Sequence, residues 1–186
     1  LAVDRPPAWE EEIPLDTWPS GLDRLYATRE VVFRDEDEEP LARGTSAWLV
    51  IDTERRRPLR PPAALYDIET PDRPAPLAGG APELSAPNRA DRTRTFTVRY
   101  HDLDLNRHVN NVRYLEWALE TLPAGVLDER RCAECALTFE AETTLGDPVR
   151  ATAALREEAD ALRVRHRLAH GETDRTLALA ATRWTQ

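Results

Sequence analysis

The sequence predicts an α+β protein in which antiparallel sheets wrap a long helix, built as two tandem halves of which the first lacks that helix. Three observations predict it. Alternating apolar and polar runs recur in both halves, as in strands with one buried face. A single strongly apolar helical pattern occurs, and only in the second half. Between the halves, residues 71–90 hold five Pro and two Gly with little periodic hydrophobicity, which reads as a linker.

The elements follow in chain order. LYATREVVF at 25–33 is strand-like, DEDEE at 35–39 turns the chain, and PLARGTSAWLVID at 40–52 is a second strand. Near the other end, ALRVRHRLA at 161–169, the turn HGETD at 170–174 and RTLALAATRW at 175–184 repeat the plan. Both closing strands place a Trp, Trp48 or Trp184, two residues after a small polar step, which points to internal duplication. Ahead of the second meander come a strand at 95–100, a helix at about 111–122 and a strand at 135–144. In that helix Val112, Leu115, Ala118, Leu119 and Leu122 recur at helical spacing, widened by Tyr114 and Trp117. Asn110 or Asn111 can cap its start, and Pro123 stops it. Strand, long helix, then meander is the order of a hot-dog domain. The expected organisation is a partial N-terminal hot-dog domain over 1–70, the linker over 71–90 and a C-terminal hot-dog domain over 91–186. On this reading the front of the first repeat is truncated.

Composition narrows the function classes. With 41% hydrophobic and 32% charged residues, the 186-residue chain has the make-up of an ordinary soluble globular protein. No run approaches the length of a membrane span, and no signal-peptide pattern opens the chain, so a cytoplasmic location is expected. All 25 basic residues are Arg, the bias of a high-GC, bacterial genome. A net charge of −9 argues against nucleic acid as partner. Cys132 and Cys135 form a lone CxxC without two further ligands at zinc spacing, and read as ordinary reduced thiols. There is no GxSxG elbow, glycine-rich phosphate loop or paired metal motif, so no cofactor or metal is expected. His166 and His170 read as surface or partly buried residues, and Trp18, Trp48 and Trp184 as sheet packing.

The chemistry concentrates in Asp104-Leu105-Asn106-Arg107-His108, just ahead of the helix and followed by Val109-Asn110-Asn111. The first N–H groups of a helix lack partners and carry partial positive charge, so a carbonyl placed there is polarised without metal or cofactor. His108 can move a proton near neutral pH, Asn106 can orient a water or a carbonyl, and Asp104 can fix its neighbours. The plainer reading is that Asp104, Asn106 and Asn110 only build a turn and a cap.

The segment RYHDLDLNRHVNNVRYLEWALETLP resembles the second hot-dog domain of acyl-acyl-carrier-protein (acyl-ACP) thioesterases of the plant plastid and bacterial type. Thr17-Trp18-Pro19-Ser20-Gly21, Arg24 and Thr45-Ser46-Ala47-Trp48 are similar to that family's first domain, so the likeness runs along the whole chain. It implies hydrolysis of a fatty acyl thioester, delivered on the phosphopantetheine arm of acyl carrier protein, to free fatty acid. It places catalytic roles on Asp104, Asn106 and His108, and on Glu142 from the next strand, with Glu140 a weaker candidate on the same strand face. Thr143 stands where plant members carry Cys, which favours attack by water; attack by the carboxylate, giving an anhydride, is the competing route. Arg55, Arg56, Arg57 and Arg60 form the densest basic run, suited to docking an acidic carrier protein or simply a solvated strand end. An acyl-CoA thioesterase and a non-catalytic acyl- or carrier-binding protein are the rival readings. Pairing into a homodimer is left open.

Overall fold

Strand periodicity governs the first unit, Leu1–Pro82. The structure, a computed structural model, describes every residue except Thr53, Arg56, Gly79 and Ala81, and describes Asp23 without its side chain. The unit holds β1 (Ala2–Val3), β2 (Leu15–Asp23), β3 (Tyr26–Arg34), β4 (Pro40–Asp52), β5 (Arg57–Leu59) and the short α1 (Ala63–Tyr66). Its antiparallel strands lie in the order β2-β3-β4-β1, with β5 folded back on the end of β4. The β3 and β4 runs are those legible in the sequence; β2 is an addition, and Pro19 within it has a reason. Proline cannot donate to a ladder, and β2 has only β3 as a neighbour in this unit, with a register shift between Pro19 and Gly21.

Trp18, Val32 and Leu41 are buried here, and with them the carboxylate of Glu30, which accepts from Ser20 Oγ at 2.7 Å and Thr45 Oγ1 at 2.5 Å. Those two hydroxyls offset the loss of water around a buried acid. The helix of this unit, α1, has no buried residue. Trp48, expected to pack the sheet, is instead 60% exposed and lines a groove of about 430 Å³ with Pro19, Leu22, Leu65 and Tyr66.

The second unit, Glu83–Gln186, is a helix laid across a five-stranded antiparallel sheet. Its elements are β6 (Arg92–Thr97), a 3-10 turn (Tyr100–Asp102), α2 (Asn111–Leu119), α3 (Ala124–Glu129), β7 (Arg131–Phe139), β8 (Pro148–Glu157), β9 (Leu162–His170) and β10 (Thr176–Thr185). The order is β7-β10-β9-β8-β6, and α2 packs on β8, β9 and β10. This is the hot-dog arrangement. Tyr114, Trp117 and Ala118 of α2 face Val149, Ala151, Leu168, Leu177, Ala178 and Ala180. The alanines matter because a strand without bulk lets two aromatic side chains of α2 settle close to the sheet. Trp117 then stacks on Phe96 at 5.7 Å and meets Tyr114 edge-on at 5.8 Å.

Several elements differ from expectation. The helix ends at Leu119 rather than 122, and Pro123 opens α3, which the sequence reading omitted. Strand β6 ends at Thr97, before the 3-10 turn. Strand β8 was not anticipated. Strand β7 stops at Phe139, so Glu140 and Glu142 leave the strand and do not share a strand face. Beyond Phe139 the amides of Glu140 and Ala141 both turn to the carbonyl of Leu177, which ends the regular ladder.

Candidate active site

The site begins with a buried carboxylate. Asp102 closes the 3-10 turn, with its side chain 1% exposed and the Arg99 amide donating to Oδ2 at 2.8 Å. Arg99 Nε, His101 Nε2 and Arg113 Nε surround it at 3.4, 3.5 and 3.6 Å. Its carbonyl accepts the Asn110 amide at 2.8 Å, which ties the turn to the helix start. The isolated bridge between Leu103 and Val109 then closes a small loop.

Asp104 organises that loop from within. Its Oδ1 accepts the amides of Asn106 at 2.8 Å and His108 at 3.2 Å, while its amide donates to the His108 carbonyl at 2.8 Å. Arg107 takes the left-handed φ of 66° that such a tight turn requires. Asn106 is left exposed at the rim, and Leu105 stands fully in solvent. Asn110 caps α2 by accepting the Val112 amide at 3.0 Å, so that donor of the first turn is already satisfied.

Two segments far apart in sequence meet here. His108 Nε2 lies 3.4 Å from Glu142 Oε2, with the His108 side chain 34% and the Glu142 side chain 49% exposed. The Val109 amide donates to the Thr143 carbonyl at 3.2 Å and fastens the two segments side by side. Asp147 shapes the turn beyond, where Oδ2 accepts the Thr144 amide at 2.8 Å and the Thr143 hydroxyl at 2.9 Å. Those donors, the Thr144 amide foremost, hold the Asp147 carboxyl below its ordinary range. Beneath Glu142 sits Tyr114, whose phenol is pushed up to about 12, by burial first and then by the charge of Glu142. It therefore stays protonated at any working pH.

The structure thus brings Asp104, Asn106 and His108 into one loop and sets Glu142 against His108. Glu140 is exposed and outside that contact. Thr143 has its hydroxyl committed to Asp147, and the two cysteines sit elsewhere, on β7 opposite Thr182 and Trp184 of β10. Burial pushes the Cys132 thiol up to about 11 and raises that of Cys135, the opposite of what a nucleophilic thiolate needs. Among the described residues, no group of three or more His, Cys, Asp or Glu is placed to hold a metal ion. Arg55, Arg57 and Arg60 are exposed around β5, Arg55 at 4.0 Å from Asp52; Arg56 lies outside the described residues. Sequence reasoning did not single out Asp102, and it assigned Tyr114 to packing alone. The signal for Asp102 was its place in Asp102-Leu103-Asp104, where only the second acid was singled out.

Residues 1–68 match the acyl-ACP thioesterase N-terminal domain family and residues 85–186 the acyl-ACP thioesterase C-terminal domain family. The chain is 30% identical over 153 residues to a chloroplastic palmitoyl-acyl carrier protein thioesterase of Arabidopsis thaliana, covering 76% of this chain and 36% of that protein. It is 28% identical over 152 residues to a chloroplastic dodecanoyl-[acyl-carrier-protein] hydrolase of Cinnamomum camphora, covering 78% and 40%. Among solved structures, the 12:0-ACP thioesterase from Umbellularia californica superposes with a TM-score of 0.88 at 26% identity, over 98% of this chain and 69% of that one. The chain thus spans about two fifths of the length of these curated relatives, 36% and 40%.

Proposed function

The chain belongs to the acyl-ACP thioesterase family, and from that membership we propose that it hydrolyses a fatty acyl thioester carried on the phosphopantetheine arm of acyl carrier protein. The observation that carries the reading is the approach of His108 to Glu142 at 3.4 Å, beside a loop that Asp104 holds in shape. A carboxylate oriented by an imidazole, with both half open to solvent, is the arrangement a general base for water requires.

On this reading the thioester carbonyl lies at the start of α2, beside Asn106. Water gives a proton to the Glu142 carboxylate as its oxygen adds to the carbonyl carbon. The negative charge on the former carbonyl oxygen faces the Asn106 side chain and the positive end of α2. Collapse breaks the carbon–sulfur bond, and the departing thiolate takes up the proton held by Glu142. His108 keeps the carboxylate aimed throughout, and Asp104 keeps Asn106 and His108 in register. The exposed Arg55, Arg57 and Arg60 are the candidate landing point for an acidic carrier.

The test is to present one acyl chain on acyl carrier protein and on coenzyme A. The reading expects hydrolysis of both, with kcat/KM at least tenfold higher on the carrier protein, or roughly 1.4 kcal/mol of added recognition. Preference for coenzyme A would overturn the assignment of carrier, and hydrolysis of neither would overturn the reaction.

A further inference from the structure

Glu142 owes its place to groups outside the catalytic loop, because it stands beyond the last residue of β7 and no ladder aims it. The backbone before it is fixed by the Glu140 and Ala141 amides on Leu177, and the backbone after it by Val109 on Thr143. Its own carbonyl accepts from the side chain of Arg175, Nη2 to O, at 3.0 Å. Arg175 comes from the turn between β9 and β10, far in sequence from the 104–108 loop. That turn is stiffened from below. Asp174, in the left-handed region at φ 57°, is gripped by Arg150 and by Arg167, whose Nη1 lies 2.9 Å from Oδ1 and whose Nη2 donates to the Asp174 carbonyl at 2.5 Å. Arg167 is itself held by Nε donating to Thr176 Oγ1 at 3.0 Å. The arginine that reaches Glu142 is thus mounted on a buttressed turn rather than on a free loop.

We propose that Arg175 is a positioning residue for the candidate reaction. By clamping the Glu142 carbonyl it sets the peptide from which the carboxylate projects toward His108, with the Arg150–Asp174–Arg167 cluster as its support. The inference rests on the role of Glu142 proposed above. It makes Arg175 part of the machinery without contact to the reacting atoms. Loss of the clamp leaves fold and substrate affinity in place but lets the base wander, and misplacement of about 1 Å is enough to slow such a reaction by up to about a hundredfold.

Arg175→Ala is expected to lower kcat about tenfold while KM stays within about twofold. Guanidinium ion at tens of millimolar should restore part of the rate. Arg175→Lys, which keeps the charge but not the forked reach, should fall between wild type and Arg175→Ala. A second readout needs no turnover. The His108 imidazole resonances of Arg175→Ala should move toward those of Glu142→Gln, since both changes take the carboxylate from its partner. Unchanged kcat, or resonances that stay at their wild-type positions, would overturn the clamp. If wild type hydrolyses no acyl thioester and yet the resonances move, the clamp stands and the reading of the reaction falls.

Discussion

His166 lies on β9, the middle strand of the sheet on which α2 packs. It is fully buried, with Nε2 3.1 Å from Thr182 Oγ1 and Nδ1 3.5 Å from Thr121 Oγ1. The Thr121 hydroxyl donates to the Ala118 carbonyl, and Thr182 Oγ1 accepts from Trp184 Nε1. The only consistent pattern puts the proton on Nδ1 and makes Nε2 an acceptor from Thr182, a neutral ring with both nitrogens used. Burial accordingly lowers its pKa to about 4. Below the ordinary value near 6.5 the unfolded chain takes up a proton that the folded ring refuses, so stability falls as pH drops from about 6.5 toward 4 and the slope vanishes below that. Between pH 7 and pH 5 the loss should be about 2 kcal/mol by urea unfolding. His166→Gln should flatten that difference; an equal pH slope in the variant would contradict it. The sequence showed His166 on a strand of alternating pattern. What it hid was which face Thr121 and Thr182 would share with it, since that depends on the helix crossing above.

At the scale of elements, legibility followed the strength of the periodic signal. Strands β3, β4, β9 and β10 carry Val, Leu and Trp in alternation and could be read at once. Strand β8 buries Val149, Ala151 and Ala153, and alanine contributes so little hydrophobic contrast that the period of two is lost. The end of β7 was misplaced because Glu140-Ala141-Glu142 continues the alternation, while the backbone turns away to Leu177. Glu142 was singled out by its distance from Gly146-Asp147 through the resemblance rather than by strand geometry, and the structure sets it 3.4 Å from His108. The hairpin of β4 and β5 carries its own prediction. Replacing Arg55, Arg57 and Arg60 by Ser should raise KM for the carrier-bound substrate severalfold and leave a small soluble thioester unaffected. The effect should fade as salt is added, since exposed charges are screened beyond about 10 Å at 0.1 M. Equal change on both substrates would show that the hairpin does not dock the carrier.

For the whole molecule, the division of labour is uneven. The second unit has helix, sheet and polar loop, and every residue proposed for the reaction lies in it. The first unit repeats the hairpin plan closely enough that Trp48 Nε1 donates to Ser46 Oγ at 2.9 Å just as Trp184 Nε1 donates to Thr182 Oγ1 at 2.9 Å. That shared two-residue step supports the duplication read from the sequence, yet Trp48 is open where Trp184 is buried, and α1 buries none of its residues where α2 buries Tyr114, Trp117 and Ala118. In the proposed reaction Glu142, aimed by His108, activates water for thioester hydrolysis. Its most direct test is single-turnover hydrolysis of an acyl chain on acyl carrier protein by wild type and by Glu142→Gln. If Glu142 is the base, the hydrolytic rate constant falls by about 10²–10⁴ with substrate binding preserved. Hydrolysis at the wild-type rate by Glu142→Gln would contradict it.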